Sequence, residues 1–539
     1  MKQFRHLMMT MAALALTGAA MTACSGDDEP VPGGMQPEST TAYTLSTTLT
    51  FDGGGETRAL TEAGVKTFAV GDQIAVKYYK KKQDWVETVT SEPLTAADIT
   101  DEGKTATFTV TLTDPDDGKT SVRYVYPAYL ESDNDRASIL ENEQDGSLAT
   151  LAEKFDYAEA AGDIDYSGGS PALPALELQN KLALAKFTFR YGSADITASL
   201  RKLVIDDGAH TYTVTPSSAS EIWVALYPVG TDQTIKLMPC DGEQYYEKSV
   251  KGKALDANNI YPISVTTTAT TGYHAMPLTL EAREDGAEVS FKLSGAVTGP
   301  VEYRTCLSGA WGAWTGYTSE TGITLPATGD KVSFRGTNAK YDQSTISCTG
   351  DCYLYGNVMS LIDALSFPAL KELTEEHTFQ DLFKGNKHID INAARPFLLP
   401  ATTLSSDCYL SMFSGCENLT VAPALPATNL ANYCYTNMFQ DCKRLEHGPL
   451  LPATSLTTSC YYGMFHDCGS LKSVICLATE FIIIDNINEM LYGAGDPDSG
   501  EQPTFYKAPG ATWPQYDYDK EGYNGIPSFW KVKEYSVTP

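Results

Sequence analysis

The sequence has little positive charge and, after its start, no long apolar segment. Lys and Arg number 39 against 68 Asp and Glu, giving a formal net charge of −29 over 539 residues. A surface this acidic repels phosphate backbones, so we expect no nucleic-acid partner. Beyond the first two dozen residues no segment is apolar over the length that a membrane-spanning helix needs.

Catalytic and metal-binding motifs are also missing. The sequence contains no HExxH, GxSxG or GxxxxGK[ST] pattern, and its seven histidines are scattered. The acidic turns "DPDDG" (114–118) and "GDPDSGE" (495–501) lack the full calcium-loop pattern, so we interpret them as solvated turns, with calcium binding as the alternative. Carboxylates are abundant, but none stands out as a glycosidase pair. We therefore predict no enzyme, no metal site and no cofactor.

Residues 1–23 have the pattern of a signal peptide. A basic "MKQFRH" precedes the short apolar "LMMTMAALALTGAA", and the small Thr22 and Ala23 stand directly before Cys24. This resembles the lipobox of bacterial lipoproteins, which implies that Cys24 becomes the first residue and carries a diacylglycerol that anchors the chain in lipid. The alternative is an ordinary signal peptide.

Residues 24–41 are a Pro/Gly-rich acidic tether without hydrophobic periodicity. The run "SGDDE" after Cys24 resembles the surface-export signal of lipoproteins from Bacteroides-type bacteria. That resemblance implies the outer face of the outer membrane, and a solvated linker is the alternative interpretation.

Alternating apolar and polar residues from position 42 onward predict many short strands. Examples are "YTLSTTLTF" (43–51), "VRYVYPAYL" (122–130), "LALAKFTFRYG" (182–192) and "EIWVALYPV" (221–229). Gly, Asp and Pro clusters separate them, and few helical patterns occur. This spacing favours two packed β-sandwiches.

Four segments in this region resemble, in order, the fimbrillin (Mfa-like) family of Bacteroides-type bacteria. They are "FAVGDQIAVKYY" (68–79), "VYPAYL" (125–130), "DIDYS" (163–167) and "LQNKLALAKFTFRY" (178–191). The resemblance implies two tandem transthyretin-like β-sandwiches, at 42–178 and 179–265. After a Thr-rich linker, renewed alternation predicts a small β-sandwich at 273–355.

An internal repeat dominates the rest of the chain. "LPATTLSSDCYLSMFSGCENLTVAPA" begins at Leu399, and related copies begin at Leu425 and Leu451, a period of 26 residues. A degenerate copy lies at 367–389. These units resemble the BspA-like leucine-rich repeats of bacterial surface proteins. We predict repeats at 356–480, stacked into a solenoid because one unit cannot bury its own apolar set, and a C-terminal cap at 481–539.

The repeat arranges six cysteines in two columns, Cys408/Cys434/Cys460 and Cys416/Cys442/Cys468. Three thiols in a column cannot all pair, and the degenerate copy has Asn386 in place of the second cysteine. We predict buried free thiols, with some disulfides as the alternative. A redox centre would need a CxxC pair, and zinc would need converging ligands. Cys348 and Cys352, in "CTGDC", remain open to a local disulfide.

Three surfaces are candidates for binding or processing. The variable positions of the repeats are candidate ligand contacts: Ser405, Ser406 and Asp407, then Ala431, Asn432 and Tyr433, then Thr457, Thr458 and Ser459. Trp311, Trp314 and Tyr317, in "GAWGAWTGY", would stack on a sugar if exposed; two strands that each bury one ring are the alternative.

The third candidate is "GGGETRAL" (53–60). Resemblance to polymerising fimbrillins implies cleavage between Arg58 and Ala59, which removes the first strand and opens a groove for a neighbour's strand. The alternative is an uncut, lipid-anchored monomer.

Together these patterns predict a non-catalytic, lipid-anchored surface protein that presents a leucine-rich-repeat domain on a fimbrillin-like stalk. We expect an outer-membrane lipid anchor and an unknown protein or glycan partner on host or neighbouring cells. The alternatives are a tip or accessory fimbrial subunit, which would bind other fimbrial subunits, and a surface glycan-binding lipoprotein.

Overall fold

The structure is a computed structural model. It describes residues 40–51, 67–81, 86–132, 136, 140–141, 144–155, 157–217, 220–257, 259–270, 272–480, 484–498, 500–517 and 525–536. The predicted signal peptide, Cys24, nearly all of the tether, and Arg58 with Ala59 lie outside these residues. No helix within the described ranges combines the length and the apolarity that a membrane crossing requires.

The chain is mainly β, as the alternation predicts. The first sheet runs in the order β3-β2-β6-β7-β8-β1-β5-β4. Its strands are β1 (Ala42–Phe51), β2 (Ala75–Tyr79), β3 (Val86–Thr90), β4 (Ile99–Thr100), β5 (Thr105–Thr113), β6 (Ser121–Tyr126), β7 (Ala158–Asp163) and β8 (Leu176–Asn180). Leu49, Val76, Phe108 and Tyr124 are buried in one core, so the sheet curls and both halves face the same interior.

The predicted strand at 43–51 is confirmed as β1, which lies inside the sheet. It pairs antiparallel with β5, from Ala42 opposite Thr113 to Thr50 opposite Thr105, and parallel with β8 from Leu49 to Phe51. Its alternation sends Leu49 and Phe51 into the core, while Thr44, Ser46 and Thr48 meet hydroxyls of β5 on the other face.

The second sheet runs β10-β9-β16-β15-β14-β11-β12, with β13 also paired to β9. Its strands are β9 (Ala183–Tyr191), β10 (Ala194–Asp195), β11 (Lys202–Asp206), β12 (Thr211–Val214), β13 (Ile222–Leu226), β14 (Thr234–Cys240), β15 (Tyr246–Lys251) and β16 (Ile260–Ala269). Helix α1 (Leu148–Lys154) begins where the Ser147 hydroxyl accepts from the N–H of Thr150, and its Leu151 packs into the core of this sheet.

The third region has two facing sheets. One runs β20-β19-β23-β17-β25-β26, with β21 on β19 and β27 on β25, and the other runs β22-β18-β24. The strands are β17 (Leu278–Ala282), β18 (Ala287–Lys292), β19 (Val301–Leu307), β20 (Ala310–Trp311), β21 (Thr315–Gly316), β22 (Ile323–Leu325), β23 (Lys331–Gly336), β24 (Thr345–Cys348), β25 (Cys352–Asn357), β26 (Ile389–Asp390) and β27 (Phe397–Leu398). Because β26 and β27 follow the degenerate repeat copy, this sheet continues into the repeats.

The remaining strands are parallel neighbours from successive units. They are β28 (His447–Leu451), β29 (Ser473–Cys476), β30 (Thr504–Lys507) and β33 (Lys531–Glu534), with β31 (Gln515–Tyr516) paired to β32 (Ile526–Pro527). A short helix, α2, spans Ile484–Ile487. Short 3-10 turns lie at Asp101–Gly103, Ala128–Leu130, Thr197–Ser199, Tyr273–Ala275, Val358–Leu361 and Phe367–Ala369.

Each unit binds the next through a row of backbone hydrogen bonds. We call residues 407–415 and their equivalents 377–385, 433–441 and 459–467 rungs. In rung 407–415, alternate N–H groups donate across to the next unit, from Asp407, Tyr409, Ser411, Phe413 and Gly415 to the carbonyls of Asn432, Cys434, Thr436, Met438 and Gln440. The same pattern joins the other rungs, and the last one donates to residues 486–492.

The rungs also stack two columns of aromatic rings. One holds Tyr341, Phe379, Tyr409, Tyr435 and Tyr461, with neighbouring ring centroids 5.8–6.2 Å apart. The other holds Phe383, Phe413, Phe439 and Phe465 at 5.4–5.7 Å. Tyr341 belongs to the third region, and it donates its N–H to Thr378, while Ile346 donates to Leu382. One continuous core therefore runs from the third region through the repeats.

Two tyrosines of the first aromatic column, Tyr409 and Tyr341, differ in the hydrogen bonding of their hydroxyls, and this difference can be tested. Tyr409 is fully buried, and its hydroxyl has no hydrogen-bond partner among the described residues, whereas the Tyr341 hydroxyl donates to the carbonyl of Leu361 at 2.8 Å. Since Phe379 already fills the same column, we expect Tyr409→Phe to raise the free energy of unfolding by about 1 kcal/mol and Tyr341→Phe to lower it by a similar amount. Urea unfolding measures both variants, and equal shifts in one direction would contradict this assignment.

Candidate functional site

The variable positions of the repeats lie side by side at the start of each rung. The N–H of Asp407 donates to Asn432, and the N–H of Tyr433 donates to Thr458, so the three predicted triplets stack directly upon one another. The structure thus brings together the nine predicted contact residues on one edge of the stacked units. Their side chains nevertheless have different roles.

Several of these side chains hold neighbouring units together. The Ser405 hydroxyl donates to the carbonyl of Glu375, Thr457 donates to Ala431 at 2.8 Å, and Ser459 donates to Asp485 at 2.9 Å. Ala431 is half-buried against the core. These four positions are therefore engaged within the protein, because a hydroxyl that binds a neighbouring carbonyl has its donor occupied.

Exposed side chains remain at the centre of this edge. Asn432, Tyr433 and Thr458 are exposed, while Ser406 and Asp407 are half-buried. The Tyr433 side chain is 41% exposed and has no hydrogen bond or ring contact with a described residue. We call Asn432, Tyr433 and Thr458 the rung edge.

Tyr433 also has an unusual backbone. Its φ is +56°, at the column position where Asp407 has +57° and Ser459 has +51°. Asp, Asn and Gly adopt this left-handed region readily, but a bulky aromatic residue there is strained. The inter-unit hydrogen bonds force the conformation, and the ring is held on the surface as a result.

Acidic groups flank the rung edge on its N-terminal side. Burial raises the pKa of Asp407, His377 opposes that rise, and the charges of Glu376 and Asp342 add to it. His377 occupies the Asp407 column in the degenerate unit, with φ +59°. His377 is not among the residues predicted from the sequence, although its place in the copy at 367–389 corresponds to that of Asp407 in the first full repeat.

The tryptophan cluster differs from the predicted sugar platform. Trp314 is half-buried, and the guanidinium groups of Arg304 and Arg335 lie over its ring at 4.5 and 4.1 Å from the ring centre. Trp311 is 42% exposed, and the guanidinium of the same Arg304 lies 4.6 Å from its ring centre. The structure thus brings the two tryptophans together on one arginine, and Trp311 is the more exposed of the two.

Tyr317 does not belong to this surface. It is 9% exposed, packs on Phe291 and Phe334, accepts a hydrogen bond from the N–H of Phe291 and donates to the carbonyl of Thr321. The expectation that Tyr317 shares an exposed aromatic platform is wrong, because its register on the inner face of the region sends the ring into the core.

The arginines of this cluster join the second sheet to the third region. Arg335 donates to the carbonyl of Gly242 at 3.0 Å, and Arg304 lies 3.4 Å from the Glu243 carboxylate. Nearby, Lys202 lies 3.1 Å from Asp363, and the Tyr245 hydroxyl donates to Ala364. We call these four contacts between the second sheet and residues 304–364 the joint. The joint holds the second sheet against the third region, on which the repeats stack.

In the described part of the chain eleven cysteines are free, buried thiols, and they include the six of the two repeat columns, as predicted, as well as Cys348 and Cys352. Cys416, Cys442 and Cys468 each donate to the carbonyl of the phenylalanine in the preceding unit, at 3.0–3.2 Å. Asn386 fills the same position and donates to Ile346 at 3.1 Å. A small buried donor is the shared requirement of this column. Burial raises the pKa of all three thiols.

Catalytic and metal chemistry has no evident centre in the described part of the chain. No group of three or more His, Cys, Asp or Glu side chains there could hold a metal ion. Burial in the core raises the pKa of many tyrosines and thiols, among them Tyr435 and Cys460, and brings that of Cys460 to about 11.

Comparison with known proteins gives structural similarities only. No protein-family model matches the chain, and no curated protein is similar to it. A fimbrial assembly protein from Parabacteroides distasonis has 12% identity and a TM-score of 0.25, covering 42% of this chain and 91% of that one.

Two further structures are described as candidate cell adhesion proteins. The one from Bacteroides fragilis has 13% identity and a TM-score of 0.25, covering 42% of this chain and 92% of that one. The one from Bacteroides eggerthii has 13% identity and a TM-score of 0.24, covering 42% and 86%. With scores this low we base no functional inference on these similarities.

The ion pair between Lys202 and Asp363 in the joint should make the stability of the protein depend on pH. Burial alone would raise the pKa of Asp363, but the charge of Lys202 and hydrogen bonds from Ser366 and Leu365 together hold it below its usual value. The native pKa thus lies below the unfolded value of about 4, so the carboxylate stabilises the fold fully above that value and loses this effect as the pH falls through the native pKa.

We therefore expect Asp363→Asn to lower the free energy of unfolding by about 1–2 kcal/mol near neutral pH and by much less at about pH 3. Urea unfolding at both pH values measures the difference. Asp117→Asn, which removes an exposed pair with Lys81, is the control and should change little at either pH. A cost of Asp363→Asn that does not vary with pH would refute the charged role of this residue.

Proposed function

We propose that this chain is a non-catalytic adhesion or interaction protein of the cell surface, and that it binds its partner through the rung edge. The observation that carries the proposal is the exposed Tyr433 ring, which the rungs hold in a strained backbone conformation between Asn432 and Thr458. Aromatic side chains held rigidly on a surface lose little entropy on binding and are frequent binding hot spots.

The surrounding frame supports this role. Each rung is bonded to the next along its whole length, so the exposed side chains have fixed spacing. Stacked units of this kind offer a long surface whose variable positions change without disturbing the core. We infer that residues 356–480 form a leucine-rich-repeat domain and that 42–265 form a fimbrillin-like stalk of two transthyretin-like sandwiches.

The anchor in this proposal is lipid on Cys24. A diacylated Cys24 at the outer membrane, followed by the tether at 24–41, would place the stalk beside the membrane and the repeats outward. The acidic composition agrees with this arrangement, since a net charge of −29 disfavours close approach to anionic lipid. The partner would be a protein or glycan on a host or neighbouring cell.

A substitution at Tyr433 tests the binding surface. We expect beads coated with purified Tyr433→Asn protein to adhere to cultured epithelial cells about tenfold less than beads coated with the wild type, the loss typical of a binding hot spot. Asparagine is chosen because it adopts positive φ readily. Leu450→Ala, which removes a hydrophobic side chain that is 42% exposed on β28, is the matched control and should adhere like the wild type. Equal adhesion of all three proteins would contradict the proposal.

A second candidate function is that of a tip or accessory fimbrial subunit. The observation that favours it is the position of β1, which lies between β5 and β8. Removing β1 would leave two unpaired strand edges and expose the core around Leu49 and Phe51, as strand addition from a neighbour requires. Cleavage between Arg58 and Ala59 would remove this strand.

The N-terminus of the protein from cells distinguishes the two candidates. Intact mass spectrometry of the anchored monomer should give a chain that begins with acylated Cys24, and this is the expected result. A chain that begins at Ala59 would instead support assembly. A purified chain that begins at neither residue would contradict both forms of maturation.

A further inference from the structure

Two cysteines outside the repeats lie at one tight turn. "CTGDC" connects β24 to β25, so Cys348 ends a strand of the three-stranded sheet and Cys352 begins a strand of the facing sheet. Cys348 lies opposite Val289, and Cys352 lies opposite Ala282. The turn is therefore a bridge between the two layers of this region.

Hydrogen bonds fix both sides of the turn. Thr349 donates its N–H to the carbonyl of Glu288 at 3.0 Å, and its hydroxyl accepts from the N–H of Glu288 at 3.1 Å. Asp351 donates to the Glu284 carboxylate at 2.9 Å, and the N–H of Cys352 donates to His388 at 2.8 Å. Since the backbone is held before and after the turn, the two sulfurs cannot move far apart.

The two sulfurs are neighbours, and the Cys348 sulfur also lies beside Asn386 of the first repeat unit. The Cys348 sulfur lies close enough to the Cys352 thiol to be affected by it electrostatically, and the side-chain nitrogen of Asn386 approaches the same sulfur at 3.5 Å. The neighbouring Cys352 thiol is the main cause that lowers the pKa of Cys348, and the proton stays on Cys352. Both residues are buried, with Cys348 9% exposed, and the lowered pKa makes the Cys348 sulfur the expected nucleophile.

The repeat thiols have a different environment. Cys416, Cys442 and Cys468 are fully buried, and each donates to a carbonyl oxygen of the preceding unit. Burial raises the pKa of each, which lowers its thiolate fraction and hence its reactivity.

We propose that Cys348 and Cys352 are a modification site at which a small-molecule disulfide oxidises the protein to an internal disulfide. The Cys348 thiolate attacks one sulfur of the reagent, forming a mixed disulfide and releasing one thiol. The Cys352 thiol then loses its proton and attacks Cys348, which releases the second thiol. The protein dithiol is oxidised by two electrons, and the reagent is reduced to two thiols.

This disulfide would join the two layers beside Asn386, at the end of the third region on which the repeats begin. The inference is independent of the partner that the rung edge binds, because it rests on the turn alone. Fixed, adjacent thiols favour the oxidised state, since little further ordering is needed to close the bond.

Treatment of the full chain with oxidised glutathione tests the proposal. After denaturation, alkylation and digestion, we expect the peptide that carries Cys348 and Cys352 to be unalkylated and lighter by two hydrogens, while Cys416, Cys442 and Cys468 are alkylated. Full alkylation of Cys348 and Cys352, or disulfides among the repeat cysteines instead, would overturn it.

Single variants test the order of attack. Cys352→Ser should accumulate a mixed glutathione disulfide at Cys348, whereas Cys348→Ser should accumulate none at Cys352. Cys416→Ser is the matched control and should form the internal disulfide like the wild type. A mixed disulfide on Cys352 rather than Cys348 would contradict the assigned nucleophile.

Discussion

The architecture of the C-terminal half depends on one constraint, the direction of the hydrogen bonds between rungs. Alternate N–H groups of each rung point to the next unit, and their acceptor carbonyls point back. A single unit therefore cannot satisfy its own buried backbone, and both ends of the stack need partners. Tyr341 and Ile346 supply donors at the N-terminal end, and residues 486–492 supply acceptors at the other. The third region is thus the first layer of the stack, which explains the continuous core.

The columns of side chains follow from the same constraint. Because units repeat at a fixed spacing, a residue type that fits at one rung fits at the next, and rings stack on rings. The second cysteine of each unit supplies a small donor for a buried carbonyl, a role that Asn386 fulfils in the degenerate unit. On the rung edge the same inter-unit hydrogen bonds impose the backbone conformation that holds Tyr433 on the surface. One hydrogen-bond pattern therefore determines both the stacking of the core side chains and the position of the exposed side chains on the rung edge.

The sequence predicted those features that repeat or alternate locally. The period of 26 residues located the stacked units and their variable positions, and alternation located strands such as β1. Features that depend on distant partners were missed, because no local pattern encodes them. The pairing of β25 with β26 and β27, the covering of Trp314 by Arg304 and Arg335, and the burial of Tyr317 all require tertiary contacts. The strands β30 and β33 were missed because their segment lacks the repeat motif.

A stack built on inter-rung bonds has a definite exchange behaviour. Backbone amides that donate to a neighbouring unit open only when the units separate, whereas amides in the connections between units that make no such hydrogen bond open locally. Hydrogen–deuterium exchange of the full chain, followed peptide by peptide, measures this difference. We expect slow exchange, at similar rates, for segments 407–415, 433–441 and 459–467, and fast exchange for the connection around 424–431. Rapid exchange of the three rungs, or slow exchange in one rung alone, would contradict it.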